Sequence, residues 1–534
     1  MRLLLQRALH VRSDETPRVA AMFLLYVGLI SASFVVGRTA ASSLFLHRLD
    51  KSLLPYTYAA VAVAVSLASA LYTRLSHKLG RGTLFPATLA VYIGGLLLLR
   101  NALYSWPDSI LVVGSTYVFI DVLSILCVTQ FWSLACDVFS TREAKRVFSV
   151  IGGGSAVAML VFGALLRGIV RPLGTANLLY VMVGELFLCS LLLAWIRRAA
   201  RRQLREATLE SKAPRRQGQG GATREGLLAD FGRLRSTRHL FTIALITAVM
   251  AVAITLIDYQ WKMSARAAFL GDEDGLAGFF SLYNLFVGLL AFFVQFFLTS
   301  RIIERLGILP ALTMLPGALV AASSTVLLGS AQVVSLWAST AAAGANSLLR
   351  FTVQNTTVQL FFRPVAPDFR PRAEALVEGI IKPVVTGLTG LAIAATVTMV
   401  GLRELSYPAL ALLALWLFLN VRARRHYAAA LGERIRSRRL DLDGSNLKAD
   451  EATVRVMRES LLGQDEKEAR SALELLRSIP ERDWRADVAK LLTSDSGALR
   501  QSALEFLRDA DAGPHMESIL RTLADPEPAV RAAA

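Results

Sequence analysis

The sequence predicts an all-α membrane protein of twelve transmembrane helices in two six-helix halves, followed by a helical repeat region. Three observations support this class. Apolar residues make up 54% of the 534 residues and charged residues 19%, and the mean hydropathy is positive. Apolar stretches of about 20 residues, long enough to cross a bilayer core, recur between residues 19 and 421. Basic residues are concentrated in alternate loops, as in other polytopic membrane proteins.

The apolar stretches define the predicted spans. The first stretch is too long for a signal peptide and lacks a small-residue cleavage site, so we expect no cleaved leader. The spans lie at residues 19–46, 54–73, 84–104, 110–136, 148–170, 177–196, 239–261, 275–299, 308–329, 333–362, 375–400 and 405–422.

The loop charges predict the orientation. The loop after the second span carries Arg74, Lys78 and Arg81, whereas the loop after the seventh holds the acidic run 272–274. The positive-inside rule therefore places both termini and the basic loops in the cytoplasm. We expect the spans to lie in the plasma (inner) membrane. Because the loops account for the net charge of +17, nucleic acid is not expected as a partner.

The polar segment 197–238 divides the spans into six and six, which suggests duplicated halves. TRLSHKLG at 73–80 aligns with SRIIERLG at 300–307, and Gln130 aligns with Gln359 at nearly the same offset. The predicted domains are a six-helix membrane bundle at 1–196, a basic cytoplasmic linker at 197–238, a second six-helix bundle at 239–425 and cytoplasmic HEAT-like repeats at 426–534.

The repeat prediction rests on an internal match. SALELLR at 471–477 recurs as SALEFLR at 502–508, a shift of 31 residues. Paired helices repeating at this length are typical of an α-solenoid, whose concave face binds proteins. We therefore expect a possible cytoplasmic protein partner on these repeats. The last unit has no polar capping repeat, so we also expect the sequence to be part of a longer protein.

Enzyme and metal-site motifs are missing from the sequence. It has no GxxxxGK[ST] phosphate loop and no HExxH, and the six histidines are scattered. The three cysteines lie in or at the end of apolar segments, which does not suggest a disulfide framework. We expect no catalytic residue, no metal and no cofactor.

Ionisable residues within the predicted spans are the candidate functional residues. Each costs about 2.5–3.5 kcal/mol at the bilayer centre on insertion scales, so each should face a cavity or a partner. They are Arg38, Asp121, Glu185, Asp258, Lys262, Arg350, Glu378 and Lys382.

Span ten carries the clearest pattern. Asn346, Arg350 and Gln354 recur every four residues and form one polar stripe, which we expect to line an interior. Structural alternatives exist for other candidates. Asp258/Lys262 and Glu378/Lys382 also suit intrahelical ion pairs near a membrane surface. Arg38 has the length to reach the outer interface, and Glu185 suits a bridge between helices.

Two levels of resemblance are visible. The six-plus-six layout with a basic central loop resembles the major facilitator architecture. The segment QFWSLACDVFSTREAKRVFSVIGGGSA at 130–156, DYQWK at 258–262 and the element Gly37-Arg38-Thr39 resemble the ATP/ADP translocase (nucleotide transporter) family and its bacterial relatives, some of which carry a HEAT array. The likeness covers about residues 15–425. Two departures stand out: the facilitator loop motif is reduced to 79–81, and no acidic residue follows Arg38.

The resemblance implies exchange or uptake of a nucleotide or similar anion through a central cavity. It implies that basic side chains hold the phosphates and that acidic ones serve as counter-charges or gates. The substrate-binding candidates are Arg38, Lys262, Arg350, Lys382, Asn346 and Gln354, and the counter-charge or gating candidates are Asp121, Glu185, Asp258 and Glu378.

Two other functions fit the sequence. One is a membrane-anchored receptor or scaffold that signals through the HEAT-like repeats. The other is a transporter of lipids or other amphiphiles, for which openings between spans would be diagnostic. The leading prediction is a secondary transporter for an anionic solute, working by alternating access.

Overall fold

The structure is a computed structural model, and Arg350, Gln354, the segment 300–307 and Gln359 lie outside the residues it describes. The described residues are 16–79, 81–139, 141–199, 224–294, 308–329, 331–349, 365, 369–397, 399, 401–436, 458, 461–462, 466–476, 484–508 and 515–534.

The N-terminal half begins with one long helical rod, Thr16–Arg48, in which π geometry replaces α geometry over Ser31–Gly37. We call this rod helix 1. Its continuation to Arg48 follows from the apolar residues that stay buried up to Leu46. The remaining helices of this half are α1 (Leu54–Leu79), α2 (Arg81–Ser105), α3 (Ile110–Val138), α4 (Thr141–Gly152), α5 (Gly154–Leu173) and α6 (Leu178–Ala199).

The C-terminal half follows the same pattern of long apolar helices. Its eleventh predicted span also contains a π segment, Val377–Ile381, before Lys382. The helices of this half are α7 (Arg224–Ser236), α8 (Arg238–Ala268), α9 (Glu273–Phe293), α10 (Ile308–Leu328), α11 (Gln332–Leu349), α12 (Arg370–Leu376), α13 (Lys382–Thr396) and α14 (Ser406–Arg436).

The described residues contain ten helices that are long and apolar enough to cross a membrane. This confirms an all-helical integral membrane protein. Predicted spans nine and ten coincide with α10 and α11, which do not meet the same criteria over their described residues. The count of twelve spans therefore stays a prediction.

Two predicted loop segments are helical. The charged segment after the fourth span forms α4, because Val147 and Ile151, four residues apart, lie on one buried face. The predicted linker 197–238 likewise contains α7. Three glycines, Gly152 to Gly154, lie at the junction of α4 and α5, and a Cβ at Gly154 would lie 3.1 Å from Val27 of helix 1.

Two seams of small residues join the halves. In the first seam, α5 packs on α9. A Cβ at Gly288 would lie 2.4 Å from the backbone nitrogen of Leu160, and one at Gly163 would lie 2.6 Å from that of Leu285. Only glycine permits backbones to approach so closely within a membrane.

The second seam joins α1 to α13. A Cβ at Gly390 would lie 2.5 Å from the carbonyl oxygen of Pro55, and one at Gly387 would lie 3.1 Å from Ala62. Each seam pairs one helix from each half, so the two seams flank the space between the halves. The turns 49–53, 106–109, 174–177 and 269–272 lie at the same end of the bundle, which we call the Arg48 end.

The C-terminal region is made of short helices, α15 (Glu466–Leu476), α16 (Arg485–Ala489), α17 (Gly497–Arg508), α18 (Met516–Thr522) and α19 (Pro528–Ala533). Arg500 Nη1 donates to the carbonyl oxygens of Ser494 and Asp495. Arg531 Nη1 makes the same two contacts, to Asp525 and Pro526, 31 residues later. These repeated contacts support the HEAT-like assignment, which stays a prediction.

Arg500 also joins neighbouring units. Its Nε donates to Asp525 Oδ2 at 2.7 Å and its Nη2 to Oδ1 at 2.9 Å, and this guanidinium holds the pKa of the Asp525 carboxyl below its usual value.

The first seam yields a stability prediction. Gly288→Ala should lower the unfolding temperature, because the added methyl forces α5 and α9 apart at a cost of roughly 1–3 kcal/mol. The matched control is Gly278→Ala on the same helix, where a Cβ meets nothing within 4 Å. The control should be neutral or stabilising by up to about 1 kcal/mol, since alanine favours helix. Thermal unfolding in detergent measures both, and equal effects would contradict the seam.

Candidate functional site

The π segment of helix 1 sets the direction of Arg38. A π turn holds more residues than an α turn, which displaces the carbonyl groups from their usual partners. The carbonyl oxygen of Ser33 accepts a hydrogen bond from Ser124 Oγ of α3 at 3.2 Å. A Cβ at Gly37 would lie 2.9 Å from Ile120 of the same helix. Helix 1 is therefore held against α3 immediately before Arg38.

Arg38 pairs with Asp121 of α3. Its Nη2 lies 3.1 Å from Asp121 Oδ1, and its guanidinium lies 4.7 Å from the centroid of the Phe34 ring. The Arg38 side chain is 49% exposed although it lies mid-way along a buried rod. The guanidinium of Arg38 is therefore held against α3 by Asp121, with about half of the side chain left accessible.

Lys262 and Asp258 form the second pair, at i and i+4 on α8. Lys262 Nζ lies 2.7 Å from Asp258 Oδ2 and donates to Tyr117 Oη at 2.8 Å. Tyr58 Oη donates to the same Asp258 oxygen at 2.8 Å. Both tyrosines belong to the N-terminal half, so the ion pair of one half is completed by hydroxyls of the other.

The two ion pairs belong to one cluster. Arg38 lies close enough to Asp258 and Tyr117 to interact with both electrostatically, and Tyr283 of α9 interacts with Arg38 and Asp258. Next to Arg38, Thr39 Oγ1 accepts a hydrogen bond from Asn284 Nδ2 at 3.3 Å across the halves. We define the central cluster as Arg38, Asp121, Asp258, Lys262, Tyr58 and Tyr117.

Asn346 lies next to a residue that contacts the site. Ser347 shares a hydrogen bond of 2.7 Å with Tyr283 Oη, and Asn346 Oδ1 is buried with no hydrogen-bond partner among the described residues. The predicted substrate-binding role of Asn346 stays a prediction. The rest of the predicted stripe, Arg350 and Gln354, falls outside the described residues.

Glu378 and Lys382 form an i, i+4 ion pair across the π segment of their helix. This arrangement matches the structural alternative of an intrahelical pair. Their predicted substrate-binding and counter-charge roles stay predictions.

No ion pair to Glu185 is seen among the described residues, and its predicted gating or counter-charge role stays a prediction. Ser31 Oγ donates to its Oε1 at 2.8 Å, and its Oε2 is buried with no partner in the described part of the chain. The helix-bridging alternative describes this contact, since Ser31 and Glu185 lie on different helices.

The uncharged polar side chains at the site were not predicted from the sequence. Tyr58, Tyr117 and Tyr283 have amphipathic side chains that are common in membrane helices, so nothing in the sequence singled them out. Asn284 was a detectable signal, because an amide in the middle of an apolar span needs a partner.

A set of contacts closes the Arg48 end, and we call it the clasp. Arg48 Nε donates to Glu273 Oε2 at 2.7 Å and Arg48 Nη2 to Oε1 at 3.2 Å, while Arg48 Nη1 reaches the carbonyl oxygen of Pro107. Asp274 Oδ1 accepts hydrogen bonds from the backbone N–H and the hydroxyl of Thr175. The clasp therefore ties helix 1 and the α5–α6 turn to the first turn of α9.

The acidic run 272–274 is thus the start of a helix. Asp272 caps it through a 2.7 Å hydrogen bond from the N–H of Gly275. Carboxylates at a helix N-terminus interact favourably with the helix dipole. Among the described residues no group of three or more His, Cys, Asp or Glu side chains is placed to hold a metal ion.

The chain is similar to known nucleotide carriers over part of its length. Residues 115–344, less than half of the chain, match the family model described as TLC ATP/ADP transporter. The ADP,ATP carrier protein 1 of Chlamydia trachomatis serovar D is 24% identical over 241 residues, covering 42% of each chain. That of Chlamydia muridarum is 24% identical over 218 residues, covering 37% of this chain and 40% of the relative. The matches therefore span about two fifths of these relatives.

Solved structures with the same fold are transporters. The POT family transporter PepTSo superposes with a TM-score of 0.55 at 11% identity, covering 78% of this chain and 98% of that chain. The nucleoside transporter NupG superposes with a TM-score of 0.51 at 11% identity, covering 78% and 99%. At this identity the likeness shows the fold alone. The chain has the fold of these two transporters, and the relatives it matches in sequence are ADP,ATP carrier proteins.

The Lys262–Asp258 pair gives a testable coupling. Lys262→Met and Asp258→Asn each leave one charge without its ionic partner, whereas the double variant removes both charges. We expect a coupling free energy of roughly 1–3 kcal/mol, reduced from that of a fully buried pair because Asp258 is one-third exposed. Thermal unfolding of the four proteins measures it. Additive effects of the two substitutions would contradict the pairing.

Proposed function

We propose that this chain is a secondary transporter that exchanges a nucleotide or related phosphate compound by alternating access. The observation that carries the proposal is the central cluster, in which one cation from each half is paired with a carboxylate and the two pairs lie close together. The match to the ATP/ADP transporter family model supports the substrate class, because that match includes Asp121, Asp258 and Lys262.

The cluster has the chemistry to bind and release an anion. Without substrate, Arg38 and Lys262 are neutralised by Asp121 and Asp258. A phosphate group competes with these carboxylates for the same N–H donors. The planar guanidinium of Arg38 can donate two parallel hydrogen bonds to two phosphate oxygens, whereas the ammonium of Lys262 acts as a compact point charge.

Hydrogen bonding near the cluster suits the nucleoside part of such a ligand. Asn346 Oδ1 is a buried acceptor with no partner among the described residues, and an amino group of a base is a donor of the required kind. Tyr283, which shares a hydrogen bond with the next residue Ser347, packs against Trp261 with tilted rings whose centroids are 4.5 Å apart. The predicted residues Arg350, Gln354, Lys382 and Glu378 belong to the proposal as further ligand or gating residues.

The clasp supports alternating access. It closes the Arg48 end by contacts between the halves. At the glycine seams, helices of the two halves pack closely without bulky side chains between them, so the halves can rotate against each other. We place this end on the extracytoplasmic side of a bacterial inner membrane. The linker, both termini and the HEAT-like repeats then lie in the cytoplasm, where the repeats would bind a protein partner.

A second candidate function has its own observation. An apolar cleft of about 550 Å³ lies between α8, α13 and α14, with Leu256, Leu388 and Leu412 among its lining residues. Such an opening between spans favours a transporter of lipids or other amphiphiles. The charged central cluster favours the phosphate-bearing anion.

Substrate uptake tests the main proposal. Proteoliposomes loaded with unlabelled ATP should exchange it for external labelled ATP or ADP, and Arg38→Ala or Lys262→Ala should lower the initial rate at least about tenfold, because each removes a charge-assisted contact. Arg350→Ala should do the same. The control is Arg521→Ala, which removes an exposed arginine paired with Glu517 outside the membrane region. Unchanged uptake in the Arg38 and Lys262 variants would overturn this site.

The clasp gives a conformational prediction. Glu273→Gln should raise the population open at the Arg48 end by roughly tenfold, since it removes the charge from a bidentate pair. Spin labels at Tyr104 and Met399, both exposed and in opposite halves at this end, report the opening as a longer distance by double electron–electron resonance. The background lacks the three native cysteines, and Glu404→Gln is the control at the same end. An unchanged distance distribution would exclude the clasp as a gate.

A further inference from the structure

Glu185 occupies the buried stripe of α6. Met182, Leu186, Cys189 and Leu193 recur at helical spacing on the same side and are all buried. This stripe packs against helix 1, and a Cβ at Gly28 would lie 2.6 Å from Cys189 Sγ. Glu185 is therefore held between two helices of the same half.

Its hydrogen bonding is incomplete for an ionised carboxylate. Ser31 Oγ donates to Oε1 at 2.8 Å, and Oε2 has almost no exposed area and no partner among the residues that the structure describes. A carboxylate in such a place needs a cation or several donors, because its desolvation cost far exceeds that of a neutral acid. Asp121 and Asp258 have cations, whereas Glu185 has one hydroxyl.

The charged groups around Glu185 are engaged elsewhere. On helix 1, Arg18 pairs with Glu143, and Arg38 pairs with Asp121. On α2, Arg100 donates to Asn177. On α6 itself, Arg197 lies 12 residues further on, about 18 Å along the helix.

The nearest titratable groups are neutral thiols and a phenol. Cys189 interacts electrostatically with Glu185, Cys127 of α3 with Cys189, and Tyr92 of α2 with Cys127. None of them supplies a cation to the carboxyl group.

We propose that Glu185 is a proton-binding site, and that its protonation state controls the π segment of helix 1 and thereby couples protons to ligand handling at Arg38. The juxtaposition that carries this inference is Ser31, the first residue of the π segment, hydrogen-bonded to a carboxyl group that forms no ion pair with any described residue. The transport consequence rests on the proposed function, whereas the proton site itself does not.

The proposed coupling arises because the protonated and the ionised forms of the Glu185 carboxyl group need different numbers of hydrogen-bond donors. When Oε2 carries the proton, one hydroxyl donor to Oε1 leaves no unmatched charge. When that proton passes to water, the carboxylate gains a full charge and needs further donors, so the Ser31–Gly37 turn or water must move towards it. Because π segments are local and can shift along a helix, Arg38 at the start of the next α segment moves with them.

Infrared spectroscopy tests the proton site without any substrate. A pH-difference spectrum of the full-length protein in lipid should contain the C=O stretch of a protonated carboxylic acid, which disappears in Glu185→Gln. The exposed glutamate variant Glu517→Gln should retain the band. Identical spectra for the unsubstituted protein and Glu185→Gln would overturn the proposal.

A second variant covers the possibility that Glu185→Gln does not fold. Ser31→Ala keeps the carboxyl group and removes its one donor, so the C=O band should move to higher frequency. The pH dependence of thermal stability tests the protonation of Glu185 independently. The folded state holds a proton that the unfolded carboxyl loses near its ordinary range, so stability should fall as pH rises in the unsubstituted protein, with a smaller fall in Glu185→Gln. A band unmoved in Ser31→Ala would contradict the geometry.

Transport assays distinguish proton binding at Glu185 from the coupling of that proton to transport. With labelled ATP, an imposed pH gradient should change net uptake severalfold for the unsubstituted protein and not for Glu185→Gln, while exchange at equal pH persists in both. Uptake insensitive to the gradient overturns the coupling even if the infrared band is present. If no phosphate compound is taken up at any pH, the proposed function fails, and the infrared result alone still decides the proton site.

Discussion

The cost of a charge in the membrane interior is the constraint on which the rest of this structure depends. Lys262 and Asp258 neutralise one another on one helix, and Tyr58 and Tyr117 complete their hydrogen bonds from the opposite half. Because that completion crosses the interface, the relative position of the halves and the electrostatics of the site cannot change independently. A competing anion would therefore disturb the contact between the halves as it binds.

The sequence was sufficient to predict the all-helical membrane class, because long apolar stretches leave few alternatives. It also identified Arg38, Asp121, Asp258 and Lys262 as residues that need an explanation, since ionisable groups in apolar spans are conspicuous. It could not identify the partners. Arg38 and Asp121 are 83 positions apart, and their pairing depends on how helix 1 packs against α3.

The same reasoning explains where prediction from the sequence falls short. The position of Glu185 in a span predicts a gating or counter-charge role, which stays a prediction, but it does not predict that Ser31 donates a hydrogen bond to it. The charges of α4 conceal the helical spacing of Val147 and Ile151, so the sequence predicts a loop there. The tyrosines were overlooked because one polar atom on an aromatic ring does not change hydropathy much. In each case burial, which sequence reports only on average, decided the role.

Helix 1 connects these features physically. Ser31 reaches Glu185, Arg38 reaches Asp121, Thr39 accepts a hydrogen bond from the other half, and Arg48 closes the end of the bundle. All four side chains lie on one 33-residue rod whose only described departure from α geometry is the π segment between Ser31 and Arg38. A rod transmits a shift at one position to the others, because its backbone hydrogen bonds resist local compression. If Glu185 binds a proton as proposed, movement of the π segment would reposition Arg38 and strain the clasp together, which would give a single mechanical route from that proton to the opening of the Arg48 end.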